Sequence, residues 1–299
     1  MDSIWTKTFT IRKRTSLKGD IRADVAVVGG GMTGILTAWQ LKQAGVRAVV
    51  LEAERIGGGQ TGNTTAKVTS QHGMFCHTFI GNKGKETARK YVQANQAAVE
   101  EYKRIIRERG ISCDLRECDS YVYSADGDTL AKEVEAARKL GVDAVLENQI
   151  SLPVACAGAV CFHGQAEFHP LKFIGALAEE LEIYENTPVK EVEEHLVKTP
   201  GGSVRADKIV FAVHFPFVNF PGMYFARMHQ ERSYVLALEN AGTINGLYIG
   251  EGEDVLSFRQ YKQYLLLGGQ AHRTGENREG GRYEKLKEAA GKMYPQSRI

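Results

Sequence analysis

The stretch from Val25 to Lys67 reads VAVVGGGMTGILTAWQLKQAGVRAVVLEAERIGGGQTGNTTAK and is the most glycine-rich part of the chain. Asp24–Val28 is an apolar run that ends at a glycine, which predicts a buried parallel strand. From Met32 the apolar residues follow a helical period up to Gly45, and Val46–Leu51 predicts a second strand. The stretch therefore predicts a β-α-β unit close to the N-terminus.

The first glycine cluster lies where the first strand meets the helix. Gly29, Gly31 and Gly34 form the pattern G-x-G-x-x-G. In this pattern the first glycine permits a tight turn, the second permits close approach of a pyrophosphate, and the third permits close contact between helix and strand. The helix N-terminus adds free N–H groups and about half a positive charge. The cluster predicts a site for a dinucleotide diphosphate.

An acidic residue follows at the end of the second predicted strand. Glu52 is placed where a carboxylate can accept hydrogen bonds from both ribose hydroxyls of an adenosine. A glycine-rich turn beside a surface glutamate is the alternative interpretation. Because strand, glycines, helix, strand and acid occur in the expected order, the dinucleotide interpretation is favoured.

The second glycine cluster, residues 57–65, indicates which dinucleotide is bound. A nicotinamide enzyme normally continues from the acidic residue directly into its crossover helix. A long segment of glycine, threonine and asparagine instead suits a backbone laid along a ribityl chain and a flavin ring. The cluster favours FAD over NAD, with an ordinary surface loop of the same composition as the alternative.

Beyond this unit, the patterns predict alternating helices and strands without an internal repeat. Lys85–Arg109 has helical spacing, and a second helix is predicted to start at an Asp128 cap. Leu152–Phe162 reads as a buried strand or strand pair, and Pro170 opens another helix. The tail from Gln230 to Gly269 is strand-rich, so two domains would be interleaved along the chain.

Composition excludes several functional classes. The chain has 299 residues, of which 43% are hydrophobic, enough for one large domain or two smaller ones. The formal net charge is +2 with no basic stripe, which argues against nucleic acid, and no apolar segment is long enough to span a membrane. Five irregularly spaced cysteines indicate a reducing cytoplasm. Cys161-Phe162-His163 has the form C-x-H, but no C-x-x-H follows, so no metal is predicted.

Several segments together resemble one enzyme family. They are the stretch from Asp24 to Gly73, AEFHPLKFIGALAEEL at residues 166–181, and KIVFAVHFPF at residues 208–217. These segments are similar to the FAD-dependent oxidoreductases of the D-amino acid oxidase, glycine oxidase and sarcosine oxidase superfamily. The chain looks especially like the bacterial branch that often carries a C-terminal Rieske domain.

The resemblance implies which residues contact FAD. The diphosphate would be bound by Gly29, Gly31, Met32, Thr33 and Gly34, and the adenosine by Glu52 and Ala53. The ribityl chain and flavin would be lined by Gly59, Thr61, Gly62, Asn63, Thr64, Thr65, Ala66 and Lys67. Val189 would contact the adenine through its backbone, and Ala212 and His214 would close the same pocket.

The resemblance also implies a fold and a reaction. The fold is α/β, with a Rossmann-like FAD-binding domain of the glutathione-reductase type at residues 1–84 and 166–218. A mixed-sheet α+β substrate domain would comprise residues 85–165 and 219–299. In such enzymes a hydride moves from the carbon beside an amine onto flavin N5, and oxygen, a quinone or a redox protein then accepts the electrons. His72, Tyr248 and Arg259 are candidate substrate residues, and no catalytic residue is assigned.

Two departures from the family leave other functions open. The chain stops at AAGKMYPQSRI, inside an apparent helix and before the glycine-rich segment that faces the flavin in the family, so it looks truncated. The pair of motifs that would hold a Rieske cluster is also missing from the sequence. The abrupt end leaves open an FAD-fold piece that a separate chain completes. A flavin dehydrogenase of a hydroxy compound such as glycerol 3-phosphate is a further alternative, although the sequence shows no obvious cluster of cations for its phosphate.

Overall fold

The computed structural model describes residues 3–220, 222–252, 255–276 and 278–299. The chain divides into two compact units, each made of three separate segments. The first unit consists of Met1–Ala66, Gly110–Cys113 and His169–His229. The second unit consists of Lys67–Arg109, Asp114–Phe168 and Gln230–Ile299. Helices and strands are numbered along the whole chain.

The first unit is built on one mixed sheet. Its strands are β1 (Ile21–Val28), β2 (Ala48–Leu51), β7 (Glu182–Tyr184), β8 (Glu191–Glu193), β9 (Leu196–Thr199) and β10 (Gly202–Phe211). Its helices are α1 (Ile4–Thr8), α2 (Met32–Gln43), α6 (Pro170–Ala178) and α7 (Tyr224–Arg227). The strand order is β7-β2-β1-β10-β9-β8. The pairings from β7 to β10 are parallel, and those from β10 to β8 are antiparallel.

The parallel part of this sheet is buried because apolar side chains cover it. Residues 25–28 of β1 and all of β2 are buried, as expected for parallel strands without a solvent-facing side. One cluster, which includes Ala26, Val49 and Leu51, packs against Val204 and Ala206 of β10. The carboxyl end of β1 is thereby fixed beside β2 and β10, and this is where the first glycine cluster begins.

The second unit contains a larger sheet. Its strands are β3 (Lys67–Val68), β4 (Arg116–Ser124), β5 (Ala144–Glu147), β6 (Gly158–Glu167), β11 (Glu231–Glu239), β12 (Leu247–Gly250), β13 (Ser257–Tyr261) and β14 (Tyr264–Arg273). Its helices are α3 (Cys76–Lys83), α4 (Lys85–Glu108), α5 (Gly127–Lys139) and α8 (Arg282–Met293). The order is β11-β14-β13-β12-β4-β6-β3, with β5 also paired to β6. Only the β12–β4 pairing among these is parallel.

Two apolar clusters form the core of the second unit. One joins Phe258, Leu265 and Leu267 to Leu286 of α8. The other joins Val160 and Phe162 of β6 to α3 and α5. Successive residues of a strand point to opposite faces, and each cluster takes alternate residues of β6. The mixed α/β class predicted from the sequence is confirmed. Within the described ranges, no helix combines the length and the apolar composition that a membrane span requires.

Three local predictions need correction. Asp126, and not Asp128, caps α5, because the Asp126 carboxylate accepts hydrogen bonds from the N–H groups of Asp128 and Thr129 at 3.0 and 3.1 Å. The strand predicted at residues 152–162 begins only at Gly158, after an irregular connection. Gly158 itself has a φ of +149°. The last helix ends at Met293, and the backbone beyond it bridges to β11.

Residues 67–84 lie with the second unit, whereas the sequence grouped them with the first. Lys67 and Val68 of β3 pair with β6, which makes this short strand an edge of the larger sheet. The backbone N–H groups of Cys76 and His77, at the start of α3, donate to the Glu133 carboxylate at 2.7 and 2.9 Å. These contacts join distant parts of the chain, so local composition does not reveal them.

Glu133 provides a test of this packing. Glu133 is only 2% exposed, and its replacement by Ala leaves the two N–H groups of α3 without their acceptor. We expect Glu133→Ala to lower the free energy of unfolding by about 2 kcal/mol or more, since each unsatisfied buried donor costs roughly 1–3 kcal/mol. Urea unfolding followed by circular dichroism measures the change.

The control is Glu135→Ala on the same helix. The Glu135 side chain is exposed and pairs with Lys139 at the surface. We expect this change to stay within about 0.5 kcal/mol. Equal losses for the two variants would contradict the assignment of Glu133 as the buried acceptor of α3.

Candidate cofactor site

The turn between β1 and α2 requires glycine at its first and last motif positions. Gly29 has a φ of +109°, and a Cβ there would lie 2.5 Å from the Ala212 carbonyl oxygen. A Cβ on Gly34 would lie 1.9 Å from the Gly29 carbonyl oxygen, so the third glycine sets the close approach of helix and strand. A Cβ on Gly31 would meet only the Thr61 hydroxyl, at 3.4 Å. The space beside Gly31 is therefore open to a ligand.

The N-terminus of α2 is capped by the second glycine cluster. Gly31 is the N-cap residue and has no side chain that could accept a hydrogen bond. The Thr61 hydroxyl accepts instead from the Met32 N–H at 2.9 Å. The Gly57 N–H donates to the Gly30 carbonyl at 3.0 Å, so the two clusters form one unit. The sequence missed this role of Thr61, although a glycine N-cap signals that a cap must come from elsewhere.

The next two donors of α2 are available to a ligand. Within residues 3–220 and the other described ranges, the backbone N–H groups of Thr33 and Gly34 have no hydrogen-bond acceptor. The first turn of any helix leaves such groups unpaired, and the helix dipole adds positive potential there. An anionic diphosphate satisfies both requirements.

Glu52 lies at the tip of the same helix. Its carboxylate accepts from the Gly30 N–H at 2.6 Å and from the Glu54 N–H at 2.9 Å. Its own backbone bonds to Tyr184 and Thr187 fix its place at the end of β2. A carboxylate offers about four acceptor positions. Two protein donors therefore leave room for ribose hydroxyls on the same group.

The segment after Thr61 is held at several points. The Asn63 side-chain amide donates to the Gly59 carbonyl at 2.9 Å, and the Ala66 N–H donates to the Thr64 hydroxyl at 3.0 Å. The indole N–H of buried Trp5 in α1 donates to the Thr64 carbonyl at 2.7 Å. These bonds fix the path of the segment. The sequence missed Trp5, although a buried indole needs an acceptor.

The remaining predicted adenosine contacts lie around the same strand ends. The Ala212 N–H donates to the Val28 carbonyl at 2.8 Å, directly beside the glycine turn. Val189 packs against the apolar cluster of the first sheet. Ala53 and His214 are exposed. The bare glycine cradle, the open helix donors and the Glu52 carboxylate together fit an adenine dinucleotide such as FAD.

The second unit holds a dense group of charges around Glu167 of β6. Its carboxylate accepts from Arg259 Nε at 3.0 Å and from Arg116 Nε at 2.8 Å. Lys67 of β3 pairs with Glu167 through the backbone. Burial and repulsion by Arg259, against the opposing attraction of Glu167, together lower the pKa of Lys67 to about 7. The protonation of Lys67 therefore changes near neutral pH.

The three candidate substrate residues lie apart within the second unit. His72 is exposed and contacts the Tyr91 hydroxyl at 3.4 Å. Arg259 is fully buried, and its Nη2 donates to the Phe168 carbonyl at 2.9 Å in addition to its bond with Glu167. Tyr248 stacks on Tyr121 and donates to the Asn245 carbonyl.

The strand register separates two of these candidates further. Arg259 is opposite Leu247 in the β12–β13 pair, and Tyr248 is opposite Phe258. Because cross-strand partners share a face of the sheet, Arg259 and Tyr248 point to opposite faces. They do not form one substrate-binding group, and the Arg259 guanidinium serves the Glu167 pair.

Comparisons with known proteins agree on one family. The family model described as "FAD dependent oxidoreductase" (DAO) matches residues 24–299. The chain is 33% identical to the putative Rieske 2Fe-2S iron-sulfur protein YhfW of Bacillus subtilis (strain 168), over 97% of this chain and 60% of that protein. It is 29% identical to gamma-glutamylputrescine oxidoreductase of Escherichia coli (strain K12), over 66% of this chain and 50% of that protein. The chain thus spans half to three fifths of these relatives.

Solved structures share the fold. Glycine oxidase from Geobacillus kaustophilus superposes with a TM-score of 0.67 at 18% identity, covering 92% of this chain and 78% of that one. L-proline dehydrogenase from P. horikoshii superposes with a TM-score of 0.70 at 19% identity, covering 94% of this chain and 78% of that one. At these identities the likeness concerns the fold alone.

The close approach at Gly34 can be tested by adding one methyl group. We expect Gly34→Ala to abolish retention of an adenine dinucleotide, because the new Cβ would overlap the Gly29 carbonyl oxygen at 1.9 Å and displace the helix donors. Fluorescence titration of the purified protein with FAD measures the loss. The control is Gly81→Ala in α3, where no atom lies within 4 Å of the added Cβ. Equal binding by the wild type and Gly34→Ala would contradict this reading of the turn.

The lowered pKa of Lys67 predicts a pH-dependent stability. Between the folded value of about 7 and the ordinary value of 10.5, the unfolded chain binds a proton that the folded chain has released. The Lys67 contribution to the free energy of unfolding therefore rises with pH across that range. We expect the difference between the wild type and Lys67→Met to rise in parallel in urea unfolding at a series of pH values. Lys90→Met, on an exposed residue, is the control, and a pH-independent difference for Lys67→Met would contradict the prediction.

Proposed function

Because the chain belongs to the DAO family of FAD-dependent oxidoreductases, we propose that it oxidises the C–N bond of an amine or amino acid with bound FAD. When bound, FAD would supply a two-electron acceptor for the hydride that leaves the carbon next to the amine nitrogen. The amine nitrogen would lose a proton in the same oxidation, and water would hydrolyse the resulting imine. A neutral amine can release a hydride without a strong general base, so the proposed reaction does not require a catalytic side chain.

The observation that carries the proposal is the joined pair of glycine clusters at the N-terminus of α2. Thr61 caps Met32, so the segment proposed to follow the ribityl chain begins at the same helix tip as the proposed diphosphate site. Glu52, which accepts a hydrogen bond from the Gly30 N–H, is proposed to bind the adenosine ribose beside that helix tip. A nicotinamide dinucleotide has no ribityl chain or flavin ring that the segment after Thr61 could line. This supports FAD as the dinucleotide.

Each part of the first unit has a proposed role toward the cofactor. The N–H groups of Thr33 and Gly34, beside the bare backbone of Gly31, hold the diphosphate. Glu52 holds the adenosine ribose, with Ala53 and the backbone of Val189 beside the adenine. The segment Thr61–Ala66 lines the ribityl chain and the flavin, and Lys67, the first residue of the second unit, is proposed to do so too. The first unit is proposed as the FAD-binding domain and the second as the substrate domain.

The substrate class rests on the relatives. Gamma-glutamylputrescine oxidoreductase is named for an amine, and glycine oxidase and L-proline dehydrogenase are named for amino acids. Oxygen, a quinone or a redox protein is proposed as the electron acceptor. We propose a cytoplasmic location, which the free state of Cys76, Cys113, Cys118, Cys156 and Cys161 supports.

A panel of reductants tests the proposal. Purified protein reconstituted with FAD is mixed without oxygen with glycine, L-proline, a putrescine derivative or glycerol 3-phosphate, and the flavin absorbance is recorded. We expect bleaching by at least one amine and none by glycerol 3-phosphate. Bleaching by glycerol 3-phosphate alone would assign the chain to hydroxy donors. Bound FAD that no donor reduces would indicate a piece that needs another chain.

Two variants test the binding mode separately from turnover. Glu52→Gln replaces a charged acceptor by a neutral one, and we expect FAD binding to weaken about 10- to 100-fold, since hydrogen bonds to charged groups contribute roughly 1.5–3 kcal/mol. The control is Glu54→Gln, because Glu54 is exposed and its hydrogen bonds with Asn186 and Glu52 are made by its backbone. Equal affinity for FAD in both variants would reject Glu52 as the adenosine ligand.

A further inference from the structure

A group of three potential metal ligands lies on strands β4 and β6 of the second unit, and none of the three is among the residues proposed to bind FAD. The Nδ1 atom of His163 lies 3.1 Å from an Asp119 carboxylate oxygen and 3.8 Å from the Cys161 sulfur. The ligand atoms of the three side chains all lie within 4.8 Å of one another. Among the residues that the structure describes, no other His, Cys, Asp and Glu side chains form a group of three or more that could hold a metal ion.

The sheet brings these residues together in a specific way. Cys161 and His163 are two positions apart on β6, so they point to the same face. Asp119 comes from β4, at the bulge where the β4–β6 register shifts between Cys118 and Ser120. The extra residue of this bulge is on β6, because Cys118 lies opposite Gln165 and Ser120 lies opposite Phe162. Asp119 therefore lies opposite His163 and Gly164, and this register brings the third side chain to the other two.

The distances match the edges of a zinc tetrahedron. Zinc bonds are about 2.0–2.1 Å to nitrogen, about 2.0–2.2 Å to oxygen and about 2.3 Å to sulfur, so tetrahedral ligand atoms lie about 3.3–3.6 Å apart. The distances from His163 to Asp119 and Cys161 depart from this by a few tenths of an ångström. The third separation, between the Asp119 and Cys161 ligand atoms, is at most 4.8 Å, so it would shorten by up to about 1.2 Å around one ion.

The surroundings favour a cation. The second Asp119 oxygen accepts from the Gly164 N–H at 3.3 Å, which orients the carboxylate toward His163. Burial raises the pKa of the Cys161 thiol, and the carboxylates of Asp119, Glu147 and Asp143 add negative potential there that a cation would offset, while a hydrogen bond with Tyr121 lowers the pKa. Fixed partners of this kind orient metal ligands.

Exposure decides the form of the site. Cys161 is fully buried, whereas the side chains of Asp119 and His163 are 37% and 38% exposed. A metal held by these three atoms would keep its fourth position toward solvent, where water can complete the coordination. Three protein ligands with one open position are typical of zinc sites that are not purely structural.

We propose that Asp119, Cys161 and His163 bind one divalent transition-metal ion, with zinc as the best match to the donors. On binding, the Cys161 thiol loses its proton to solvent and a metal–sulfur bond forms, while His163 coordinates as the neutral imidazole. The charges of the ion, one thiolate and one carboxylate then sum to zero. No electron transfer is involved. The ion would join β4 to β6 at the bulge.

The sequence contains only part of this signal. The C-x-H motif at residues 161–163 suggests half a site, and the search for a later C-x-x-H finds nothing. The third ligand lies upstream on another strand, as a single aspartate that nothing marks as a ligand. Its position depends on the register and the bulge.

Metal content and spectroscopy test the proposal. The FAD-loaded protein is stripped with a chelator and titrated with Zn²⁺ or Co²⁺ alone. We expect one ion per chain by mass spectrometry, and cobalt ligand-field bands at wavelengths longer than flavin absorption. Mutation of residues that only support metal ligands typically weakens metal binding roughly 10- to 100-fold. Because His163 and Asp119 are proposed as direct ligands, we expect His163→Ala and Asp119→Asn to weaken it at least as much.

Controls separate this site from adventitious binding. Cys156→Ser and His195→Ala change a cysteine and a histidine outside the group, and we expect the wild-type affinity in both. Cys161→Ser should remove the sulfur-to-cobalt charge-transfer band. If Cys161→Ser fails to fold, the two half-exposed ligands Asp119 and His163 decide. Unchanged affinity in both of their variants, or no uptake by the wild type, would show that Asp119 and His163 are a plain ion pair above a core cysteine, and would overturn the proposal.

Discussion

The structure of the first unit depends on the approach of bare backbone at the end of β1. Helix α2 can pack this close to the strand only because the Gly34 Cα faces the Gly29 carbonyl oxygen, where a Cβ would lie at 1.9 Å. The same turn places the Gly30 N–H, just before the N-terminus of α2, within hydrogen-bond distance of Glu52. The anion site and the ribose acceptor are therefore consequences of one steric constraint, and both would move with the helix if it retreated.

The β-α-β unit was predictable because its signals are local. Buried parallel strands have continuous apolar runs, and glycines with special backbone angles interrupt them where the chain turns. The hydrogen bonds that complete the site were less predictable. The cap on Met32 comes from Thr61, and the anchor on Thr64 comes from Trp5, which is 59 positions away in sequence. A sequence pattern shows that a helix end needs an acceptor, but not which distant side chain supplies it.

The same limit explains the candidate substrate residues. Tyr248 and Arg259 both lie on strands of the second unit, and the sequence predicted those strands near their observed positions. Which face each side chain takes depends on the register of β12 against β13, and this register places them on opposite faces. Arg259 is also committed to Glu167, because an unpaired charge at a fully buried position would be strongly destabilising. A buried ion pair leaves no period in the sequence.

Glu167 shows how one buried acid can organise several charges. It accepts from Arg116 and Arg259 and lies opposite Lys67 in the β3–β6 pair, so its negative charge offsets part of their mutual repulsion. The charged form of Lys67 is disfavoured, since desolvation and repulsion by Arg259 together outweigh the attraction of Glu167. Of these cations, Lys67 is therefore the one that can lose its proton near neutral pH, since an arginine stays protonated in proteins. Arg259 therefore acts on Lys67 as a fixed positive charge that lowers its pKa, while Glu167 acts in the opposite direction.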